Sequence, residues 1–438
     1  MHAITMALLA LWCIGFARSS AAAPGSVRNN RVPLFFFSLW IAYIALQVLP
    51  MPAAILEILS PRAYAHYTTV QSAGFTPTFS ISLDRGSSLG ELQKISAYIA
   101  LFFLTIALVT SRKRLRLVLV ILTIIGTLEA FYAIVAYLAR GQPVLSFFGA
   151  DGRVVTGTYV NKNHFAGLME VTIPAALGLM LAGSSKKYGH DWREALRKFA
   201  DFFLRDAGWL SFCLVLMLTA LILSASRGGI AALIFGTSFA VVVAVIFRGR
   251  GTRESGVLVR LTALVIVGVT WLGAGELVEK LENIGLASNR GDIRDTTLKI
   301  IEDFWLTGSG AGTFRWVFPI YKDGRFGSGF YEHAHNDYLE LLSEQGIMGL
   351  MLAGIAIATL LLRIVIAYVR RNDSMVRGAL FFAISASAAL MAHGGVDFNF
   401  NIPANAAIFF VLLGVGAAAG RLETRGAGIK AVRPMTRT

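Results

Sequence analysis

Arg227, in Ser226-Arg227-Gly228-Gly229, sits where a charged side chain could do chemistry. A planar guanidinium donates two parallel hydrogen bonds to a phosphate, and neighbouring glycines let a ligand approach the backbone. The plain alternative is an interfacial arginine whose stem lies in lipid while its head reaches water. Arg153 and Lys162, within the stretch Asp151 to His164, add two cations that otherwise read as loop solubility. Arg290 opens a polar helical stretch, where free N–H groups already favour anions, although alone it reads as a surface residue. In His333-Ala334-His335-Asn336-Asp337 the alternating His and Asp could ligate a metal on an extended strand. The following residues suggest a helix instead, on which alternate positions diverge, and no other His or Cys cluster completes a ligand set. A single general base, His335, fits better, because histidine exchanges its proton near neutral pH. Gly308-Ser309-Gly310-Ala311-Gly312 lacks the Gly-Lys-Ser/Thr ending of a phosphate loop and follows a helix, so it reads as a helix terminator.

The elements that must hold these residues are membrane helices. The chain is 55% hydrophobic and only 15% charged, with a mean hydropathy of +0.64, whereas soluble domains are about one-quarter charged. A net charge of +14 could point to nucleic acid, but the basic residues fall in short clusters between apolar runs, so no nucleic-acid partner is expected. Crossing a ~30 Å hydrocarbon core takes ~20 apolar residues. Candidate spans lie at about 3–17, 33–49, 92–110, 117–139, 164–182, 209–224, 229–247, 257–275, 346–369, 377–392 and 402–420. The fold class expected is an all-α polytopic membrane protein of about eleven spans, within a range of ten to twelve, forming one membrane domain over 1–438. The first span, followed by Arg18-Ser19-Ser20-Ala21-Ala22-Ala23, also resembles a signal peptide, without its basic start. Cys13 and Cys213 fall inside spans and read as packing residues.

Orientation follows from the Lys and Arg clusters, which favour the cytoplasmic side. Arg112-Lys113-Arg114, Lys186-Lys187, Arg248 with Arg250, Arg370-Arg371 and the tail from Arg421 all fall on one side. The opposite side then receives Pro50–Glu91, Arg140–Lys162, the Ser224–Gly228 turn, His393–Ile402 and a large polar loop over 276–336. Within that loop Asn289 can cap a helix, and Ile293, Thr297, Ile300 and Phe304 recur at helical spacing. Glu129 and Glu170 lie inside spans, where ionisable residues often serve function, and they support an alternative of another class, a secondary transporter.

Several motifs resemble the O-antigen ligase and polymerase family of bacterial polysaccharide enzymes. The clearest run is Arg290-Gly291-Asp292-Ile293, Asp303, Gly308 to Phe314, His335-Asn336-Asp337-Tyr338-Leu339, Glu344-Gln345-Gly346 and Gly349-Leu350. Gly157 to Ala166, Ser226-Arg227-Gly228, Asp397-Phe398-Asn399 and Ile402-Pro403-Ala404-Asn405 add support, for a family core over about 157–412. The resemblance implies a glycosyltransferase of the GT-C-like, multi-span type, metal-independent, inverting and without cofactors, in the bacterial inner membrane with its active site facing the periplasm. The implied donor is a glycan on undecaprenyl diphosphate, and the implied acceptor is a hydroxyl of a glycan or of lipid A-core. In that scheme His335 is the base, Arg227 and Arg290 hold the diphosphate, Arg153 and Lys162 assist, and Asn336 and Asp397 orient the histidine or the sugar. A polymerase of repeat units, for O-antigen or exopolysaccharide, is the alternative within the family. A structural scaffold would instead predict that outer-loop charges are dispensable.

Overall fold

A computed structural model describes residues 2–17, 25–139, 154–183, 208–248 and 290–422. Every regular element among them is helical. In chain order these are α1 (His2–Ala17), α2 (Gly25–Asn29), α3 (Arg31–Val48), α4 (Ala53–Leu59), α5 (Pro61–Ser72), α6 (Arg85–Leu108), α7 (Arg112–Leu138) and α8 (Lys162–Gly183). There follow α9 (Gly208–Leu223), α10 (Arg227–Arg248), α11 (Arg290–Phe304), α12 (Phe314–Tyr321), α13 (Asp337–Arg370), α14 (Ser374–Gly394) and α15 (Pro403–Ala419). Seven of them, α3, α6, α7, α8, α10, α13 and α14, are long and apolar enough to cross a membrane, and α1, α9 and α15 are shorter apolar helices. The protein is an all-α polytopic membrane protein. The expected span at 257–275 and the cap residue Asn289 lie outside the described residues.

At the centre, α14 packs along α8 and α10, while α13 lies against α3, α15 against α6 and α7 against α8. The α8–α14 contact is close because each helix offers a glycine. A β-carbon at Gly178 would stand 2.5 Å from the Gly378 carbonyl oxygen, and one at Gly378 would stand 2.1 Å from that of Gly178. Small residues at such crossings let backbones approach, which is how helices associate where no hydrophobic drive separates them from lipid.

The two ends of the bundle differ. At one, Arg112 pairs with Asp373 at 2.9 Å and Arg371 donates to the Gly420 carbonyl at 2.9 Å, so the basic connections gather there. At the other, α11 is the amphipathic helix expected, with Ile293, Thr297, Ile300 and Phe304 buried. Its apolar face is covered by elements that the span pattern did not reveal. Leu56 of α4, Ala63 of α5 and Ile81 join Ile293, Ile300, Phe304, Phe314, Val317 and Phe318 in a second core, separate from the one inside the bundle.

The glycine run Gly308–Gly312 does more than end α11. It docks into a break in α13 at Gly346, whose backbone is left-handed at φ 61°. The Ser309 N–H donates to the Ser343 carbonyl at 3.0 Å, the Gly310 N–H to that of Glu344 at 2.9 Å, and the Ile347 N–H to that of Trp305 at 2.8 Å. The Glu344 carboxylate accepts from the Gly312 and Phe314 N–H groups, both at 2.9 Å. Gln47, at the end of α3, donates to the Thr307 carbonyl and accepts from the Ala311 N–H. The span expected to begin at 346 therefore begins at Asp337 and is interrupted where the loop seats on it.

Candidate active site at the polar end

Asp397 is the hub of the polar end. Its carboxylate is 1% exposed and meets groups from four parts of the chain. Asn163 of α8 donates to Oδ2 at 2.5 Å, Arg290 of α11 donates to the same oxygen at 3.3 Å, and the Phe398 N–H donates to Oδ1 at 2.9 Å. His335 Nδ1 lies 3.7 Å and His164 Nε2 3.9 Å from Oδ1, beyond hydrogen-bond length. Burial acts to raise this carboxyl, but the His335 ring, the Phe398 N–H, the Arg290 charge and the Asn163 amide prevail and hold it well below the usual carboxylate range. It is therefore a fixed negative charge at neutral pH.

The same amide connects the hub to the arginine turn. Asn163 Oδ1 accepts from Ser226 Oγ at 2.8 Å, and Ser226 Oγ in turn accepts from the Gly229 N–H at 3.3 Å, capping α10. Arg227 is the first residue of α10 and is exposed, and no described residue forms an ion pair with it. Lys162 reaches the same turn, donating to the Ala225 carbonyl at 3.2 Å. Gly228 and Gly229 are needed for packing here. A β-carbon at Gly228 would lie 2.9 Å from His393 Nε2, and one at Gly229 would lie 2.4 Å from the Ala166 β-carbon. Behind the turn, buried His393 and Glu170 are paired at 2.6 Å.

His335 is positioned by backbone as much as by contacts. Asn336 caps α13, accepting from the Tyr338 and Leu339 N–H groups at 3.0 Å each, and donates to the Gly395 carbonyl at 2.7 Å. The Asp337 N–H donates to the Asp397 carbonyl at 3.3 Å, so the start of α13 is tied to the hub's own loop. Among the described residues only Ala225 and His335 carry a positive φ without being glycine, at 50° and 51°. Such strain costs of order 1–3 kcal/mol, and it marks functional sites when the surroundings enforce it. Both strained residues flank this site.

Phe398 supports three imidazoles: His333 stacks on it at 4.3 Å between centroids, and His164 and His335 meet it edge-on at 4.5 and 4.9 Å. His333 and Asp337, which the sequence left open as ligands beside His335, are committed elsewhere. His333 Nδ1 is 2.7 Å from Glu340 Oε1, and Asp337 accepts from the Phe400 N–H and the Asn401 amide. Burial lowers the pKa of His333.

Residues 212–354 match the family model described as O-antigen ligase. Over that segment the chain is similar to the O-antigen ligase family. No curated protein matches the chain. Arg227, Arg290, His335 and Asn336 lie within the matched O-antigen ligase segment, whereas Lys162, Asn163 and Asp397 lie outside it and are brought to it by α8 and the α14–α15 connection. Of the residues singled out from the sequence, Lys162, Arg227, Arg290, His335, Asn336 and Asp397 gather at this end, and Arg153 lies outside the described residues. Asn163, Ser226 and Phe398 are additions. They stood inside the noted motifs, but a small amide, a hydroxyl and an apolar ring carry no chemical signature until their partners are known.

Proposed function

We propose that this protein transfers an oligo- or polysaccharide from undecaprenyl diphosphate to a hydroxyl of a glycan or lipid A-core acceptor, at the periplasmic face of the bacterial inner membrane. The observation that carries the proposal is the Asp397 hub. One buried carboxylate holds Arg290, faces His335 and reaches the Arg227 turn through Asn163 and Ser226.

In the proposed reaction His335 takes the proton of the acceptor hydroxyl as its oxygen bonds to the anomeric carbon. The bond from that carbon to the carrier phosphate breaks, and the diphosphate leaves with the electron pair. With Nδ1 turned towards the fixed charge of Asp397, the other ring nitrogen, Nε2, is the one that accepts the proton, and Asp397 stabilises the imidazolium that results. Arg227, Lys162 and Arg290 supply positive charge where negative charge grows, which is the electrostatic part of catalysis. Attack opposite the leaving diphosphate inverts the anomeric centre. Arg153 is given an assisting role on the sequence resemblance alone, and Asn336 acts on His335 through the cap. Of the two acidic residues inside spans, Glu129 accepts from the Thr158 N–H and hydroxyl, and Glu170 pairs with His393.

The test is glycan transfer by His335→Ala, Arg227→Ala and Arg290→Ala proteins in membranes at equal expression. Loss of about 10²–10⁴ in rate is expected for His335→Ala. Normal transfer by all three variants would sink the mechanism. The species that accumulates in a deletion strain separates the two acceptors. Full chains left on the carrier indicate ligation, and single repeats on the lipid core indicate polymerisation.

A further inference from the structure

At the opposite end of the bundle a cavity of about 470 Å³ is lined by Arg363, Arg370, Arg371 and Arg421, with Asn29 and Asn30 beside them. Among the described residues no carboxylate lines it. Gly416 and Gly420 form one wall, packed closely against Ile364 and Ala367, and Ile366, 40% exposed on the outer face of α13, forms its apolar margin. We propose that this cavity binds the headgroup of an acidic phospholipid, whose acyl chains run down the α13 face past Ile366 and Leu362.

Basic residues at one end of a membrane protein are expected from the orientation rule alone, but that rule asks only for charge in the connections. Here two details exceed it. Arg363 lies seven residues before Arg370, about 10 Å deeper along α13, where an ionisable side chain is expensive. It turns back to donate to the Asn29 carbonyl. The arginines also crowd one another. Burial first, then the charge of Arg363, pulls the Arg421 guanidinium below its usual pKa. A phosphodiester would relieve that repulsion and accept the guanidinium forks in pairs. The apolar margin favours a lipid over a soluble anion, since basic pockets between spanning helices recruit acidic headgroups from their own leaflet.

The test uses the full-length protein, delipidated and reconstituted in phosphatidylcholine discs with and without phosphatidylglycerol, and lipid retention read by native mass spectrometry. Wild type should retain phosphatidylglycerol selectively. The double variant Arg363→Gln with Arg421→Gln should bind it roughly thirtyfold more weakly, as expected for two arginines beside an anionic surface. Arg363→Lys with Arg421→Lys guards against misfolding and should keep most of the binding. Arg114→Gln, at the same end but outside the cavity, should keep all of it. Equal retention by wild type and the glutamine variant would overturn the proposal. So would displacement of the lipid by millimolar inorganic phosphate, which would make the ligand a soluble anion.

Discussion

At the scale of residues, the site depends on one carboxylate keeping its charge. Asp397 is held below the ordinary range, so its contribution to stability is complete above the unfolded carboxylate value of about 3.9 and is lost only as pH falls through the lower folded value. Asp397→Asn should therefore lower stability at pH 7, by about 3 kcal/mol for a buried charge network that loses its anion. The gap from wild type should close as pH drops below roughly 4. Thermal unfolding at pH 7 and pH 3 reads this directly, and a gap that persists unchanged at pH 3 would refute the role of the charge. Arg227→Lys offers a second check. It keeps the charge and loses the planar fork, so transfer should fall markedly, with the loss appearing in kcat/KM.

At the scale of elements, the seating of the glycine run on the broken helix is the joint on which the polar end turns. Gly308 is left-handed at φ +74°, and a β-carbon there would come within 2.1 Å of the Glu344 carbonyl oxygen. Gly308→Ala should cost more than about 2 kcal/mol through strain and collision together, seen as a lowered melting temperature and faster proteolysis within 290–336. Gly291, in α11, has open space around its α-carbon and no unusual backbone. Gly291→Ala should be neutral or stabilising by up to about 1 kcal/mol, and a loss as large as that at Gly308 would show the packing to be otherwise. The helical spacing of α11 was legible in its sequence because the pattern of burial is local. The cover supplied by α4 and α5 was not, because residues some 230 positions earlier carry only a short, mixed pattern. The break at Gly346 was hidden for the same reason, since the carbonyls of Trp305 and Leu306 that accept from the Ile347 and Met348 N–H groups there lie far earlier in the chain.

Across the whole molecule, the apolar runs announced nearly every described span, since a bilayer imposes length and composition on any helix that crosses it. The site was legible in part. Arg227, Arg290 and His335 are charged or titratable residues in unusual places, so chemistry alone drew attention to them. The hub was harder to see, because Asp397 gains its importance from Asn163 and Arg290, which lie 234 and 107 positions away in the chain. The two ends of the bundle should face opposite sides of the membrane. Val160 is 93% exposed at the polar end, and Arg114 stands on the basic end. In a cysteine-free background, Val160→Cys should react with a membrane-impermeant maleimide on intact spheroplasts, and Arg114→Cys only after lysis. The reverse pattern would turn the protein over and remove the periplasmic assignment.

The left-handed backbone at His335 has one more consequence. At most positions an alanine makes a protein sturdier than a glycine does, because it restricts the unfolded chain. At φ 51° that order should invert: a glycine adopts the conformation freely, while any β-carbon meets the following carbonyl at roughly 1–2 kcal/mol. Both replacements would be inactive, yet His335→Gly should melt above His335→Ala. The histidine thus occupies a place that robustness alone would give to glycine, and under the proposed mechanism its retention there measures how much durability this protein trades for a proton-accepting side chain.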